Sequence, residues 1–110
     1  AYEDALLQFQ ARRAAIESHV WEVFIRNNQP RKDLADINKD IAGTIEAALI
    51  LGDINLLPQD INYIEYLLMG YRLPGFVIAA YIDAYYEAAQ MYLGEECSAI
   101  VDWLAQLVGE

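Results

Sequence analysis

Apolar residues recur every three to four positions through most of the chain, and Pro and Gly interrupt that rhythm at a few sharp points. A recurrence near 3.6 marks amphipathic helices, and Pro and Gly are the strongest local breakers. The pattern predicts five helices and no strand. The first runs from about Tyr2 to Arg26, with Leu6, Phe9, Ala14, Ile16, Val20 and Phe24 at helical spacing. Twenty-five residues is long for a small globule, which leaves a kink or a split within it open. The second runs from about Pro30 to Leu51, with Leu34, Ile37, Ile41, Ile45, Ala48 and Leu49 on one stripe. Pro30 suits a first helical position, where its missing N–H is not needed, and Gly52 suits a C-terminal stop.

The third helix is predicted from about Pro58 to Gly70. It carries Ile61, Ile64, Leu67 and Leu68, with Tyr71 just beyond; Tyr63 and Tyr66 lie on an adjacent face. Leu73-Pro74-Gly75 breaks the chain again. The fourth runs from about Gly75 to Leu93, and its polar positions Asp83, Glu87 and Gln90 fall on one narrow stripe. A helix apolar nearly all round is a central one. The fifth runs from about Glu95 to Val108, with Ile100, Trp103, Leu104 and Leu107 on its inner face. No heptad persists across the breaks, so angled crossings are expected rather than a coiled coil. The expected fold is an all-α, globin-like or orthogonal bundle of about five helices, one domain over residues 1–110.

Composition fits that picture. The chain has 110 residues, 56% of them hydrophobic, enough to bury one core without disulfides. The most apolar stretch, 61–82, holds Glu65 and Arg72 and breaks at Pro74-Gly75, short of the run of about 20 apolar residues a membrane span needs. Residues 1–16 hold no signal-peptide pattern, and Cys97 stands alone, so a cytoplasmic protein is expected. The net charge is −10, unevenly spread: residues 51–110 carry nine acids and one base, Arg72. Such a surface repels phosphates, which argues against a nucleic-acid partner, and suits a basic one.

Few residues are candidates for chemistry. His19 is the single histidine, so it reads as an ordinary boundary residue rather than a ligand or a base. Cys97 sits at the start of the fifth helix, where the dipole lowers a thiol pKa, but Glu95 and Glu96 beside it oppose that. The pairs Asp36 and Asp40, Asp83 and Glu87, and Glu95 and Glu96 fit solvated helix faces better than an acid–base cleft. No catalytic residue, cofactor or metal ligand is assigned, and an enzyme is not expected. The eight tyrosines are the more informative group, because tyrosine is enriched at protein interfaces. Tyr63, Tyr66, Tyr81 and Tyr85 are the expected protein-interaction residues.

Residues 36–108 resemble the C-terminal half of the phycobiliproteins, the globin-like light-harvesting subunits. The resemblance lies in Leu51-Gly52-Asp53 and the following Ile54-Asn55-Leu56-Leu57, similar to that family's Leu-Ala-Gly-Asp-x-x-x-Leu junction. Tyr71-Arg72-Leu73-Pro74 then looks like its Tyr-x-x-Leu-Gly-x-Pro turn. The family attaches a bilin to a Cys about 19 residues before that Asp; here Leu34 stands there, and the Cys-x-Arg-Asp signature is absent. The chain is also about 50 residues shorter than an ordinary subunit of the family. The resemblance therefore implies a bilin-free relative that does not assemble in the family's usual way.

Three readings of function follow. The first is a non-catalytic binding or assembly domain, antenna-associated as the resemblance implies, with a protein partner and self-association left open. The second is a globin-like sensory domain that binds a small apolar ligand or haem, which requires a pocket of a few hundred Å³ beside the fourth helix. The third is an acidic inhibitor that mimics nucleic acid, which requires carboxylates along one exposed ridge.

Overall fold

The computed structural model describes residues 2–109. Among them lie five α-helices and no strand. α1 spans Glu3–Arg26, with Glu3 and Asp4 in its first turn and Arg26 in its last, each sign where the helix dipole favours it. It is one continuous helix with nearly the predicted bounds, and it is not split. Its inward stripe of Ala5, Phe9, Ile16, Val20 and Phe24 lies along α4, and these two helices share the most extensive interface in the molecule. A partner nearly as long as itself supports α1 over its length.

α2 spans Leu34–Leu51 and starts four residues later than Pro30. The Leu34 N–H bonds the Arg31 carbonyl at 3.2 Å, so 31–33 form a turn that brings Leu34 into the core. At the other end Gly52 adopts φ 68°. Its N–H bonds Leu49 O at 3.2 Å, and that of Asp53 bonds Ala48 O at 3.0 Å. This is the paired closure that a left-handed residue permits.

A 3₁₀ turn at Ile54–Leu56 leads to α3, Ile61–Leu67, a shorter helix than 58–70. A second 3₁₀ turn at Met69–Tyr71 ends on Arg72 at φ 56°. α4 spans Gly75–Tyr92 and begins after Pro74. A 3₁₀ turn at Glu95–Cys97 precedes α5, Ser98–Val108.

α4 is the central helix, as its composition predicts. It packs on α1, α5 and α3 and buries Val77, Ile78, Tyr81, Ile82, Tyr85 and Ala88. The radius of gyration is 13.0 Å, the value of a close-packed globule of about 100 residues.

Candidate functional site

The two tyrosine pairs divide. Tyr81 and Tyr85 were expected at an interface; they are 1% and 0% exposed and sit in the core. The Tyr81 ring meets Phe24 edge-on at 6.3 Å and Tyr85 at 5.8 Å. Its hydroxyl donates to Asn38 Oδ1 at 2.6 Å, which pairs the one buried polar side chain of α2. The Tyr85 hydroxyl is buried with no protein partner among the described residues. Burial pushes both phenols well above the ordinary value. Neither residue is available to a partner, because α1 and α2 cover that side of α4.

Tyr63 and Tyr66 stand on the surface, 61% and 72% exposed. Their placement follows from how α3 is built. Asp60 caps the helix: its Oδ1 accepts from the backbone N–H of Asn62 at 2.9 Å and of Tyr63 at 3.3 Å. Ile64 and Leu68, four apart, point inward and are fully buried. Tyr63, Tyr66 and Leu67 therefore face outward, as helical spacing requires. The loop below is pinned to α5 by Trp103, whose Nε1 donates to Pro58 O at 2.6 Å, while Leu57 is buried beneath it. Neither phenol oxygen of the pair has a hydrogen-bond partner among the described residues. The two rings border an open depression of about 280 Å³ together with Asp60 and Asn62. Exposed Leu56, Leu67 and Met69 extend the apolar character of this part of the chain.

That Leu67 is exposed could not be read from periodicity, which assigned it to the inner face. α3 has only seven residues and packs chiefly against α4, so it buries a narrower stripe than its apolar content allows.

Several of the other candidate groups are engaged within the fold. His19 Nε2 meets Glu87 Oε1 at 2.9 Å, joining α1 to α4. Cys97 is buried and its thiol donates to Ala5 O at 3.2 Å. Burial first, and Glu96 second, push its pKa up, so it is not an activated thiol. Of the paired carboxylates, Asp40 accepts from the Tyr71 hydroxyl at 2.6 Å and Glu96 accepts from Gln8 at 3.2 Å. No cluster of three metal-ligating side chains occurs among the described residues. Among the described residues no helix is long and apolar enough to cross a membrane.

A second depression, of about 230 Å³, lies beside α4 and is lined by Phe24, Leu34, Ile37, Val77 and Tyr81 with Arg72 and Pro74 at its edge. It falls below the usual range of ligand sites, and the hydroxyls of Tyr71 and Tyr81 beside it are already engaged by Asp40 and Asn38. The acidic residues after Leu51 are spread over α3, α4, α5 and the turn before it rather than aligned on one helix.

The fold is thus an all-α bundle, and its most distinctive surface feature is an aromatic face on a short helix. No protein-family model, no curated protein and no solved structure matches the chain.

Proposed function

We propose that this chain is a non-catalytic binding and assembly module that engages another protein through the outer face of α3. The observation that carries the reading is the pair Tyr63 and Tyr66, large rings held in the open on a helix whose inner side is fully packed. Rings of this kind combine apolar area with a polar tip at little entropic cost, and they dominate the energetics of many interfaces. The scaffold beneath them is rigid: the Asp60 cap and the Trp103 bond to Pro58 hold the helix and its approach. The likeness of 36–108 to a phycobiliprotein half, with Leu34 where the bilin Cys would be, supports a bilin-free role in a light-harvesting assembly.

The sensory reading stands behind this one, because the depression beside α4 is small and the hydroxyls of Tyr71 and Tyr81 beside it are already engaged. The acidic-mimic reading stands behind it too, because the carboxylates are dispersed over several elements.

The test is photo-cross-linking with benzoylphenylalanine in place of Tyr66 in the native host. The expected result is a discrete adduct at position 66 and none at Glu22, on the exposed side of α1. The partner, identified and purified, binds the native chain at least tenfold more tightly than the Tyr63→Ala/Tyr66→Ala variant. Equal adducts at both positions, or undiminished binding by the variant, contradicts the assignment.

A further inference from the structure

We infer that the surface of α3 receives an extended, arginine-bearing segment of its partner, laid along a channel that runs from α5 to α3. This rests on the assembly reading above and names the chemistry of the partner.

Three depressions follow one another, each sharing lining residues with the next. The first, about 270 Å³, lies between Asn55, Gln59, Asp102 and Gln106. The second, about 280 Å³, shares Asn55 and Gln59 with it and continues past Leu56 and Pro58 to Tyr63. The third shares Tyr63 and ends at Tyr66 and Asp60. The channel therefore begins at one carboxylate and finishes at another, with amides in the middle and aromatic rings at the far end.

Charge selects the sign of the occupant. Asp60 and Asp102 are the charged groups that line the channel, and no Lys or Arg borders any of its three parts. The surrounding half of the chain has nine acids against one base. A second copy meeting this face with its own would set like charge against like, so a basic partner is favoured over a symmetric dimer.

The amides select the shape. A carboxamide both donates and accepts, and the side chains of Asn55 and Asn62 have no partner among the described residues. A bound helix has its backbone groups satisfied internally and offers these amides side chains alone. An extended segment carries free N–H and C=O groups along its length and presents alternate side chains to the surface.

The rings select the side chain. A planar guanidinium stacks on a tyrosine face and still donates to a neighbouring carboxylate, which an ammonium does less well. Tyr63 and Tyr66 beside Asp60 provide both parts. The same chemistry occurs within this molecule, where the Arg31 guanidinium lies 5.9 Å from the ring centre of Trp21.

The test uses the full chain, isotopically labelled, titrated with an alternating arginine–proline peptide of about eight residues, an extended probe. Matched peptides carry lysine or glutamate in place of arginine. The expected result is saturable binding with amide shifts confined to the channel, from Asp102 and Gln106 through Asn55 and Gln59 to Asp60, Asn62, Tyr63 and Tyr66. The lysine peptide binds at least threefold more weakly, and the glutamate peptide leaves the spectrum unchanged. Tyr66→Ala weakens the arginine peptide about tenfold, while Tyr92→Ala, on α4, leaves it unchanged. Shifts centred on Asp83 and Glu87, or equal binding by Tyr66→Ala, would overturn the inference. So would self-association of the native chain that Tyr66→Ala abolishes. A cross-linked partner whose contacting segment has no arginine overturns this inference and leaves the assembly reading standing; loss of the adduct at position 66 removes both.

Discussion

α3 and α4 each carry a pair of tyrosines at helical spacing, and the pairs end in opposite environments. Tyr81 and Tyr85 are fully buried, while Tyr63 and Tyr66 keep more than half of their surface in water. The residue type is the same; what lies across from it differs. α4 is covered by α1 along one side and α5 along another, and α3 is covered on its inner side alone. Whether one of these four tyrosines is buried depends on which face of its helix it occupies and whether another helix covers that face. The bundle uses the first pair in its packing and leaves the second exposed.

The largest expected effect comes from truncating the buried pair. Tyr85→Ala removes a ring from the middle of the core and lowers unfolding free energy by about 3–5 kcal/mol, as other large-to-small core changes do; urea denaturation measures it. Tyr63→Ala and Tyr66→Ala, on the exposed side, stay within about 0.5 kcal/mol of the native chain in the same experiment. Comparable losses at both pairs would break the comparison.

Hydroxyl deletions sharpen it within the core. Tyr81→Phe strips Asn38 of its donor in a buried place and costs about 1–3 kcal/mol. Tyr85→Phe removes a hydroxyl that has no protein partner and leaves stability unchanged or slightly raised.

Alkaline titration gives a smaller, spectroscopic effect. The Tyr71 hydroxyl is pushed up to about 12, first by its hydrogen bond to Asp40, then by desolvation and the neighbouring carboxylates. The folded value lies above the ordinary 10, so the stabilisation is fully present below about pH 10. It is lost as pH rises from there through about 12. Absorbance at 295 nm in native and Tyr71→Phe proteins differs by one phenol titrating in that range. The phenols of Tyr81 and Tyr85, held higher by burial, ionise only as the fold opens.

The helices themselves were legible in the sequence, because buried positions recur at 3.6 and the breakers fall at Gly52, Pro74 and Gly94. The α2 start was misplaced at Pro30. That residue is compatible with a first turn, but the tertiary demand to bury Leu34 sets the register instead. α1 was read at nearly its full length, but the long-range packing on α4 that supports it leaves no local signal. The site was half legible. Tyr63 and Tyr66 were selected by type and spacing and do stand exposed, yet the same reasoning selected Tyr81 and Tyr85, which are buried. The spacing of Tyr81 and Tyr85 with Ile78, Ile82 and Ala88 marks an inward face, but the Asn38 that pairs Tyr81 lies on α2, and long-range pairing leaves no local signal. The proposed channel through Asn55, Gln59 and Asp102 brings the segment before α3 against α5, distant in sequence, and was invisible until the two were brought together.

The account stands on α3 displaying its aromatic face for a partner rather than for the fold. Photo-cross-linking through position 66 in the native host tests this most directly. It predicts one discrete protein adduct at 66 and none at 22; adduct formation at 22 alone, or indifferently at both, would contradict it.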